Sequence, residues 1–403
     1  MTIPTLPESV LLAITLLEQA SFEAYLVGGG LRDSLLGLQS EDYDLTTDAT
    51  PDEMKYVFSG YRIHEIGIDH GTLQVIIKGM PLEITTYRSD GLYLDHRHPQ
   101  SVRFSRSLSE DLARRDFTVN AMAFHPKKGL IDLYGGRQDL QNRCLRAVGD
   151  PLERFHEDAL RILRALRLAS KLDFSIESAT SKALFQESRL LSCIASERIL
   201  KELLGILKGK AAGRIIMDYF SVLLCVMPEL NEKDAEAIAK AVEQVRSVSH
   251  CQLAALFHRT RPDERRDMMK RLRMDKRTSQ KVLKVLEGYS QPLPQELPAI
   301  RRFAGQYRDV LRDIISLKEA TSDTQHLSAF RKKIKVIAQR RDPLSLDDLA
   351  VDGEDLLQEG IPNGPEIGYV LDKLLELVYE DPSKNTRRSL LAYASEVSKN
   401  GSQ

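Results

Sequence analysis

The pattern of apolar and polar residues changes near residue 150. Before this point, short apolar segments alternate with helical periodicities, which predicts strands and helices packed together. After it, apolar residues recur at helical spacing over longer stretches with few β-branched runs, which predicts helices. These stretches are 153–170, 178–187, 197–208, 234–247, 262–274, 278–288 and 297–319. We therefore expect a small α+β region followed by an all-helical remainder.

Local signals define the elements of the first region. Apolar periodicity predicts a helix over 8–20, then one strand at AYLVG and a second at DYDLTT. The segment TPDEMKYVF predicts a helix with Thr50 as N-cap and Pro51 at its first position. The segments LQVII and LEITTY are predicted to pair as strands across the KGMP turn.

Length and composition limit the class of protein. A chain of 403 residues holds two to four domains, and 42% hydrophobic with 29% charged residues is typical of a soluble globular protein. No stretch approaches the roughly 20 apolar residues of a membrane span, and MTIPTLPES lacks a signal-peptide pattern, so we expect a cytoplasmic protein. The four cysteines match no zinc spacing, which favours reduced structural thiols. With a net charge of −1, any polyanion must be held by a local patch.

The pair Asp42 and Asp44 flanks Tyr43 in the second predicted strand. Alternate residues of a strand point to the same side, so the two carboxylates can together hold one or two Mg²⁺ ions. A lone D-x-D is also typical of a capped turn or a solvated strand end. Glu83 lies on a later predicted strand and is either a third carboxylate facing the metal or an exposed strand glutamate.

Three glycines and an arginine precede this pair. Gly28–Gly30 follow an apolar strand and open an apolar helix, so free backbone amides can approach an anion, and Arg32 adds a positive charge. No Gly-Lys-Ser/Thr follows, and the last glycine of a dinucleotide fingerprint is missing. The glycine turn and the D-x-D together favour metal-dependent nucleotidyl transfer.

The segment DLARRDFTVNAMAF (111–124) contains a second group of polar residues. Asp116 is suited to cap the helix predicted from Phe117, and Arg114 and Arg115 can be a solvated charge pair. Asn120 interrupts the apolar face of that helix. A buried amide needs hydrogen-bond partners, and a ribose hydroxyl would serve.

A third group lies in RFHEDALRILRALRLAS (154–170). Asp158 and Arg161 are three residues apart and share a helical face, and Arg164 and Arg167 continue the row. This row is either a ladder of weak ion pairs or, because its arginines outnumber its acids, a helix that faces phosphates. Basic clusters at 259–284 and 331–341 are likewise either solvated helix surfaces or patches for the RNA backbone.

The motifs occur in the order of a known family. The chain closely resembles the class II tRNA nucleotidyltransferases in five segments. These are LVGGGLRDSLLG with EDYDLTTDATP, IGIDHGTLQV, DGLYLDHRHPQSVRFSRSLSEDLARRDFTVNAMA, DLYGGRQDL and RFHEDALRILRALRLAS. That family comprises bacterial CCA-adding enzymes and poly(A) polymerases. The resemblance covers residues 24–170 and continues more weakly through SERILKELLGIL. It implies a polymerase-β-like head with a small mixed sheet, followed by an all-α neck, body and tail, over 1–145, 146–210, 211–295 and 296–403.

The resemblance also implies roles for individual residues. Asp42 and Asp44 would bind the catalytic Mg²⁺. Glu83 is predicted as a further catalytic carboxylate from its position on the later strand, not from the resemblance. The nucleotide would be bound by residues of three motifs: Gly29, Arg32, Arg115, Asn120, Glu157, Asp158, Arg161, Arg164 and Arg167. In the Glu-Asp-x-x-Arg motif, the protein itself serves as the template for the base. The helical domains would hold the acceptor arm of tRNA.

An aspartate and an arginine together can select the base on physical grounds. Cytosine and adenine present an exocyclic amine beside a ring-nitrogen acceptor, so the aspartate accepts and the arginine donates. Uracil and guanine present a carbonyl and an N–H there, which would leave buried groups unpaired. Such a pair would accept C and A and reject U and G.

Residues 88–102 are predicted to correspond to a loop that, in the family, helps to switch the site from CTP to ATP. Its presence, with Asp95 and Arg97, favours addition of CCA or of A alone. We therefore expect a cytoplasmic, Mg²⁺-dependent enzyme that adds CCA to the 3′ end of tRNA from CTP and ATP. The alternatives are an enzyme that adds only A, a poly(A) polymerase, and a non-catalytic RNA-binding protein of the same fold.

Overall fold

The computed structural model describes residues 6–40, 42–90, 102–321 and 324–401. It forms two compact units, Met1–Ala235 with Lys270–Arg273 and Glu236–Met269 with Met274–Gln403. None of the helices in these described ranges is both long and apolar enough to cross a membrane.

The first unit contains strands β1 (Ala24–Val27), β2 (Asp44–Thr47), β3 (Arg62–His64), β4 (Thr72–Ile77), β5 (Met80–Thr86), β6 (Arg88–Asp90), β7 (Val102–Phe104), β8 (Met122–His125), β9 (Gly129–Asp132), β10 (Cys144–Leu145) and β11 (Ser175–Ile176). Its helices are α1 (Glu8–Gln19), α2 (Gly28–Leu35), α3 (Pro51–Val57), α4 (Leu108–Ala113), α5 (Gly136–Gln141), α6 (Pro151–Glu157), α7 (Leu160–Leu172), α8 (Ser178–Glu187), α9 (Ser196–Leu207), α10 (Ala212–Asp218) and α11 (Phe220–Leu224).

Seven of these strands form one mixed sheet in the order β3-β4-β5-β2-β1-β8-β9. The β2–β5 pair is parallel, whereas the other neighbours are antiparallel. The parallel pair places Asp44 directly beside Glu83. The predicted α+β fold, a small mixed sheet followed by helices, is confirmed.

Several local predictions are confirmed in this unit. β4 and β5 pair across a tight turn in which Lys78 and Gly79 have φ of 50° and 80°. Thr50 caps α3 in a capping box with Glu53, and Pro51 begins the helix. The second strand, however, begins only at Asp44, so Asp42 lies just before it and is exposed.

Three predicted helices differ from the structure. The helix over 153–170 is interrupted because Asp158 is extended and its Oδ1 accepts from the Leu160 N–H, capping a new helix. The apolar helix expected after Phe117 is one short helical turn followed by β8, because β8 pairs with β1 and β9. The stretch 297–319 is two helices, since the chain leaves the helical conformation at Tyr307.

The second unit is helical throughout its described part. Its elements are α12 (Ala235–Gln244), α13 (Ser249–Phe257), α14 (Pro262–Arg271), α15 (Lys276–Ser290), α16 (Leu297–Gln306), α17 (Leu311–Thr321), α18 (Thr324–Arg340), α19 (Gly353–Gln358), α20 (Pro365–Glu380) and α21 (Arg387–Gly401), the first and third of which share residues with the first unit. Leu356, Leu374 and Leu390 are fully buried and join α19, α20 and α21 in one core cluster.

Candidate active site

A polar cavity of about 310 Å³ lies in the first unit, where the glycine turn after β1 faces the junction of α6 and α7. It is lined by Gly28, Gly29, Asp44, Arg114, Arg115, Asp116, Asn120, Asp158, Arg161, Arg164 and Arg198. Five arginines and three aspartates make its wall net positive, which suits a polyphosphate ligand.

Asp44 occupies the floor of this cavity at the start of β2, opposite Val27. Gly28 has φ of 70°, and a Cβ there would lie 3.2 Å from Asp44 Oδ2. Glycine is therefore needed both for the left-handed turn and for access to the carboxylate. Burial, followed by the charges of Glu83 and Asp42, raises the pKa of Asp44 to about 6, against the opposing charge of Arg115.

The acidic residues around Asp44 fit a cation that also binds a substrate. Asp42 and Glu83 are exposed, and both carboxylates destabilise the ionised form of Asp44. Within the described ranges, no three His, Cys, Asp or Glu side chains converge as a complete metal site. Mg²⁺ is usually held by one or two carboxylates together with substrate phosphates, and the oxygen donors of Asp42 and Asp44 match that pattern.

Arg32 lies behind the cavity wall. It is 4% exposed, and it donates from Nη1 to Asn120 Oδ1 at 2.7 Å and from Nε to Asp33 Oδ1 at 2.8 Å. Gly29 does line the cavity, and a Cβ at this residue would lie 3.5 Å from Arg32 Nη2. Gly29 therefore borders the site as predicted, whereas Arg32 holds Asn120 in place and does not itself line the cavity.

Asp116 connects the strand-containing part of the unit to α7. Its Oδ1 accepts from Asn120 Nδ2 at 3.1 Å, and its Oδ2 accepts from Arg164 Nε at 2.9 Å and Nη2 at 2.5 Å. Burial would raise the pKa of Asp116, but the charge of Arg164 and the hydrogen bond from Asn120 outweigh it and lower the pKa to about 2. The sequence predicted that Asp116 caps a helix, but the short helical turn begins at Thr118 without a side-chain cap, and Asp116 Oδ1 instead accepts from the N–H of the next residue, Phe117, at 2.8 Å.

A buried carboxylate that the sequence analysis missed holds two arginines of the cavity. Asp111 accepts from Arg115 Nη2 at 2.8 Å and from Arg114 Nη2 at 2.5 Å. Burial would raise the pKa of Asp111, but the charges of Arg115 and Arg114 lower it. The sequence did contain a signal for these contacts: Arg114 and Arg115 follow Asp111 by three and four residues, so their side chains lie on the same face of a helical turn as Asp111.

Asp158 and Arg161 lie together at the other end of the cavity. Asp158 Oδ2 accepts from Arg198 Nη2 at 3.3 Å. Arg161 donates from Nη1 to Glu157 Oε2 at 2.5 Å and from Nη2 to the Arg114 carbonyl at 3.0 Å. Glu157 therefore orients Arg161. Arg198 is a cavity residue that the sequence analysis missed, because it lies 40 positions from its partner.

Arg164 and Arg167 share a second cavity, but only Arg164 also lines the cavity that contains Asp44. Arg164 lines the cavity that contains Asp44, whereas Arg167 donates from Nε to Glu202 Oε2 at 2.5 Å and lines a second cavity. Asp95 and Arg97 lie outside the described residues.

Comparison with known proteins gives three family models that match the chain. These describe a Poly A polymerase head domain (residues 24–146), a probable RNA and SrmB-binding site of polymerase A (173–234) and a putative tRNA nucleotidyltransferase domain 2 (243–394).

Similar proteins span nearly the whole chain. A CCA-adding enzyme of Levilactobacillus brevis is 36% identical over 400 residues, covering 97% of this chain and 99% of that protein. One of Pediococcus pentosaceus is 34% identical, covering 95% and 96%. The crystal structure of the Bacillus stearothermophilus CCA-adding enzyme in complex with CTP has a TM-score of 0.82 at 28% identity, covering 100% of this chain and 99% of that one.

Proposed function

The chain belongs to the CCA-adding enzymes, and from this membership we propose how its own residues carry the reaction. It is a nucleotidyltransferase that adds CCA to the 3′ end of tRNA from CTP and ATP, without a nucleic-acid template and with release of pyrophosphate. The proposal assigns the incoming nucleotide to the cavity that contains Asp44.

One observation carries this assignment. Asp44 and the pair formed by Asp158 and Arg161 line the same cavity, so one bound nucleotide can present its phosphates to the first and its base to the second. The backbone of Gly28 and Gly29 borders the phosphate end, where an open glycine turn allows close approach.

We assign base selection to Asp158 and Arg161. Among the described residues, the bonds of Arg161 to Glu157, the Arg154 carbonyl and the Arg114 carbonyl occupy three of its five N–H groups. The Nε–H and one Nη2–H remain for the ring nitrogen of cytosine or adenine. Asp158, held by Arg198, supplies the acceptor for the exocyclic amine.

CCA-adding nucleotidyltransferases are generally metal-dependent, and we propose that Asp42 and Asp44 hold Mg²⁺ in this chain. Bound there, the ion would neutralise charge on the α-phosphate and orient the attacking 3′ hydroxyl. Asp44 contributes a carboxylate that is ionised at neutral pH despite its raised pKa. Glu83, exposed beside it, is assigned a supporting role in setting that pKa.

Arg115 and Asn120 are proposed to contact the phosphate and ribose portion of the nucleotide. Both line the cavity, and each is held by a buried carboxylate, Arg115 by Asp111 and Asn120 by Asp116. Donors fixed in this way need no reorganisation when charge develops during transfer.

We also propose a division of the chain into a head (1–145), neck (146–210), body (211–295) and tail (296–403). A cytoplasmic location belongs to the same proposal, and so does a role in switching from CTP to ATP for the loop with Asp95 and Arg97. The neck contains Asp158 and Arg161, and the acceptor arm of tRNA is assigned to the helical domains.

Product length tests the proposed function. Purified protein is incubated with tRNA lacking three, one or none of its terminal nucleotides, with each NTP alone and with CTP and ATP together. We expect two CMP and one AMP on the shortest tRNA, one AMP on the next and none on the complete tRNA. AMP addition alone would indicate an A-adding enzyme, long adenylate tails a poly(A) polymerase, and no incorporation a non-catalytic protein.

A further inference from the structure

A second cavity, of about 550 Å³, lies between α7 and α9 next to the nucleotide cavity. Arg164 lines both. The ionisable residues of the second cavity are Arg164, Arg167, Lys201, Lys208, Arg273, Glu197 and Glu202. Five cations against two carboxylates give it a net positive wall, although it contains no part of the catalytic group around Asp44.

The packing of α9 against α7 shapes this cavity. Gly205 faces Arg167, and a Cβ at Gly205 would overlap Cδ of the arginine. The missing side chain therefore lets Arg167 lie across α9 and donate to Glu202, which is only 5% exposed. Among the described residues, the two terminal nitrogens of Arg167, Nη1 and Nη2, have no hydrogen-bond partner.

Two lysines stand on one side of α9 and its C-terminal end, where Lys208 is the C-cap residue. Lys201 and Lys208 are seven residues apart, which is about two helical turns, so they share a face. Both are exposed, and neither forms an ion pair with any residue that the structure describes.

Arg273 borders the cavity, and the segment that contains it is held in place by the hydrogen bonds of a neighbouring arginine. Its neighbour Arg271 donates to the Val226 carbonyl at 2.8 Å and pairs with Glu229 at 2.6 Å. Arg273 has φ of 57°, an uncommon conformation for a residue with a side chain, and its nearest ion-pair contact, to Glu197, is 3.9 Å long.

We propose that this second cavity binds the phosphate backbone of the tRNA acceptor end as it approaches the nucleotide cavity. The inference rests on the proposed function and assigns Arg167, Lys201 and Lys208 to the tRNA. The sequence had instead assigned Arg167 to the nucleotide.

The chemistry of the cavity favours a nucleic-acid backbone. None of the described residues that line it is aromatic, so they offer bases no stacking surface there. Lysines on flexible stems act as point charges that attract phosphates without reading sequence. The triphosphate of the nucleotide is already assigned to Gly28, Gly29 and Arg115, on the other side of Arg164.

The test is the salt dependence of tRNA binding by Lys201→Ala/Lys208→Ala. We expect the Kd for tRNA lacking CCA to rise roughly tenfold near 0.1 M salt, and the slope of log Kd against log salt to fall by about 2, because two phosphate contacts are lost. The Kd for CTP should not change.

Two controls accompany this variant. Lys210→Ala removes an exposed lysine close by in sequence that does not line the cavity, and its tRNA affinity should equal that of the wild type. Lys201→Arg/Lys208→Arg keeps both charges and should retain tight binding. An unchanged tRNA Kd and slope in the double alanine variant would overturn the inference, as would a weaker CTP affinity with tRNA binding intact.

This outcome is separable from that of the proposed function. If the wild type adds no nucleotide to tRNA, the proposed function fails. If the wild type adds CCA while the double alanine variant binds tRNA normally, only the assignment of the second cavity fails.

Discussion

Arg164 donates from both Nε and Nη2 to a single oxygen, Oδ2 of Asp116, at 2.9 and 2.5 Å. The two residues are 48 positions apart, and their contact fixes α7 against the segment that precedes β8. Because Asp116 also accepts a hydrogen bond from Asn120, this ion pair fixes the positions of both Arg164 and Asn120 in the wall of the cavity that contains Asp44.

The first prediction concerns acid stability. The folded-state pKa of Asp116 is about 2, below its ordinary value of 3.8, so its contribution to stability is complete above about pH 4 and is lost as the pH falls towards 2. This contribution is about 2 kcal/mol. Urea unfolding at pH 5 and pH 3 should show a smaller pH dependence for Asp116→Asn than for the wild type. Equal pH dependence of both proteins would contradict the assignment.

The second prediction concerns Asp44, whose shift has the opposite sign. Its folded-state pKa of about 6 exceeds the ordinary value of 3.8, so ionisation of this half-buried group destabilises the fold progressively between about pH 4 and pH 6. In the absence of divalent metal at pH 8, Asp44→Asn should be more stable than the wild type by roughly 1–3 kcal/mol. The gain should vanish near pH 4. Thermal unfolding in EDTA at both pH values measures it, and a destabilised variant at pH 8 would be contrary to expectation.

The third prediction separates a structural arginine from a ligand-binding one. Arg32 is buried and bonded to Asp33 and Asn120, so Arg32→Ala leaves buried polar groups unpaired and should cost about 3 kcal/mol of stability. Arg115→Ala, by contrast, should raise the KM for CTP with little loss of stability, because Arg114 still pairs with Asp111. Denaturation curves and steady-state kinetics of both variants test this. A wild-type melting temperature for Arg32→Ala would refute it.

The fourth prediction concerns base selection. Arg161→Ala removes the donor to the ring nitrogen, so discrimination of CTP against UTP in kcat/KM should fall by about a hundredfold or more. Glu157→Gln keeps the arginine but weakens its orientation, and should give a smaller loss. Incorporation of each NTP into tRNA lacking CCA measures both. Undiminished rejection of UTP and GTP by Arg161→Ala would show that the side chain does not read the base.

Local features of the fold were predictable from the sequence, whereas long-range ones were not. The N-cap at Thr50 and the β4–β5 hairpin depend on neighbouring residues, and both were predicted. β8 was mistaken for a helix because its conformation is set by pairing with β1 and β9, which no local signal reveals. The break at Asp158 was missed because helical periodicity of the apolar residues continues across it.

The same distinction applies to the candidate site. The motifs indicated Asp44, Asp158 and Arg161, and the structure brings all three to one cavity. Motifs alone did not show that Arg32 is turned towards Asn120, since that depends on a contact 88 residues away. The role of Arg198 depends likewise on a distant partner.

The central claim is that Asp44 acts on the same nucleotide whose base is read by Asp158 and Arg161. Single-turnover transfer of CMP from CTP to tRNA lacking CCA, measured for Asp44→Asn, tests it most directly. We predict a loss of about a thousandfold or more in the transfer rate, with no weakening of tRNA binding. Transfer near the wild-type rate would contradict the claim.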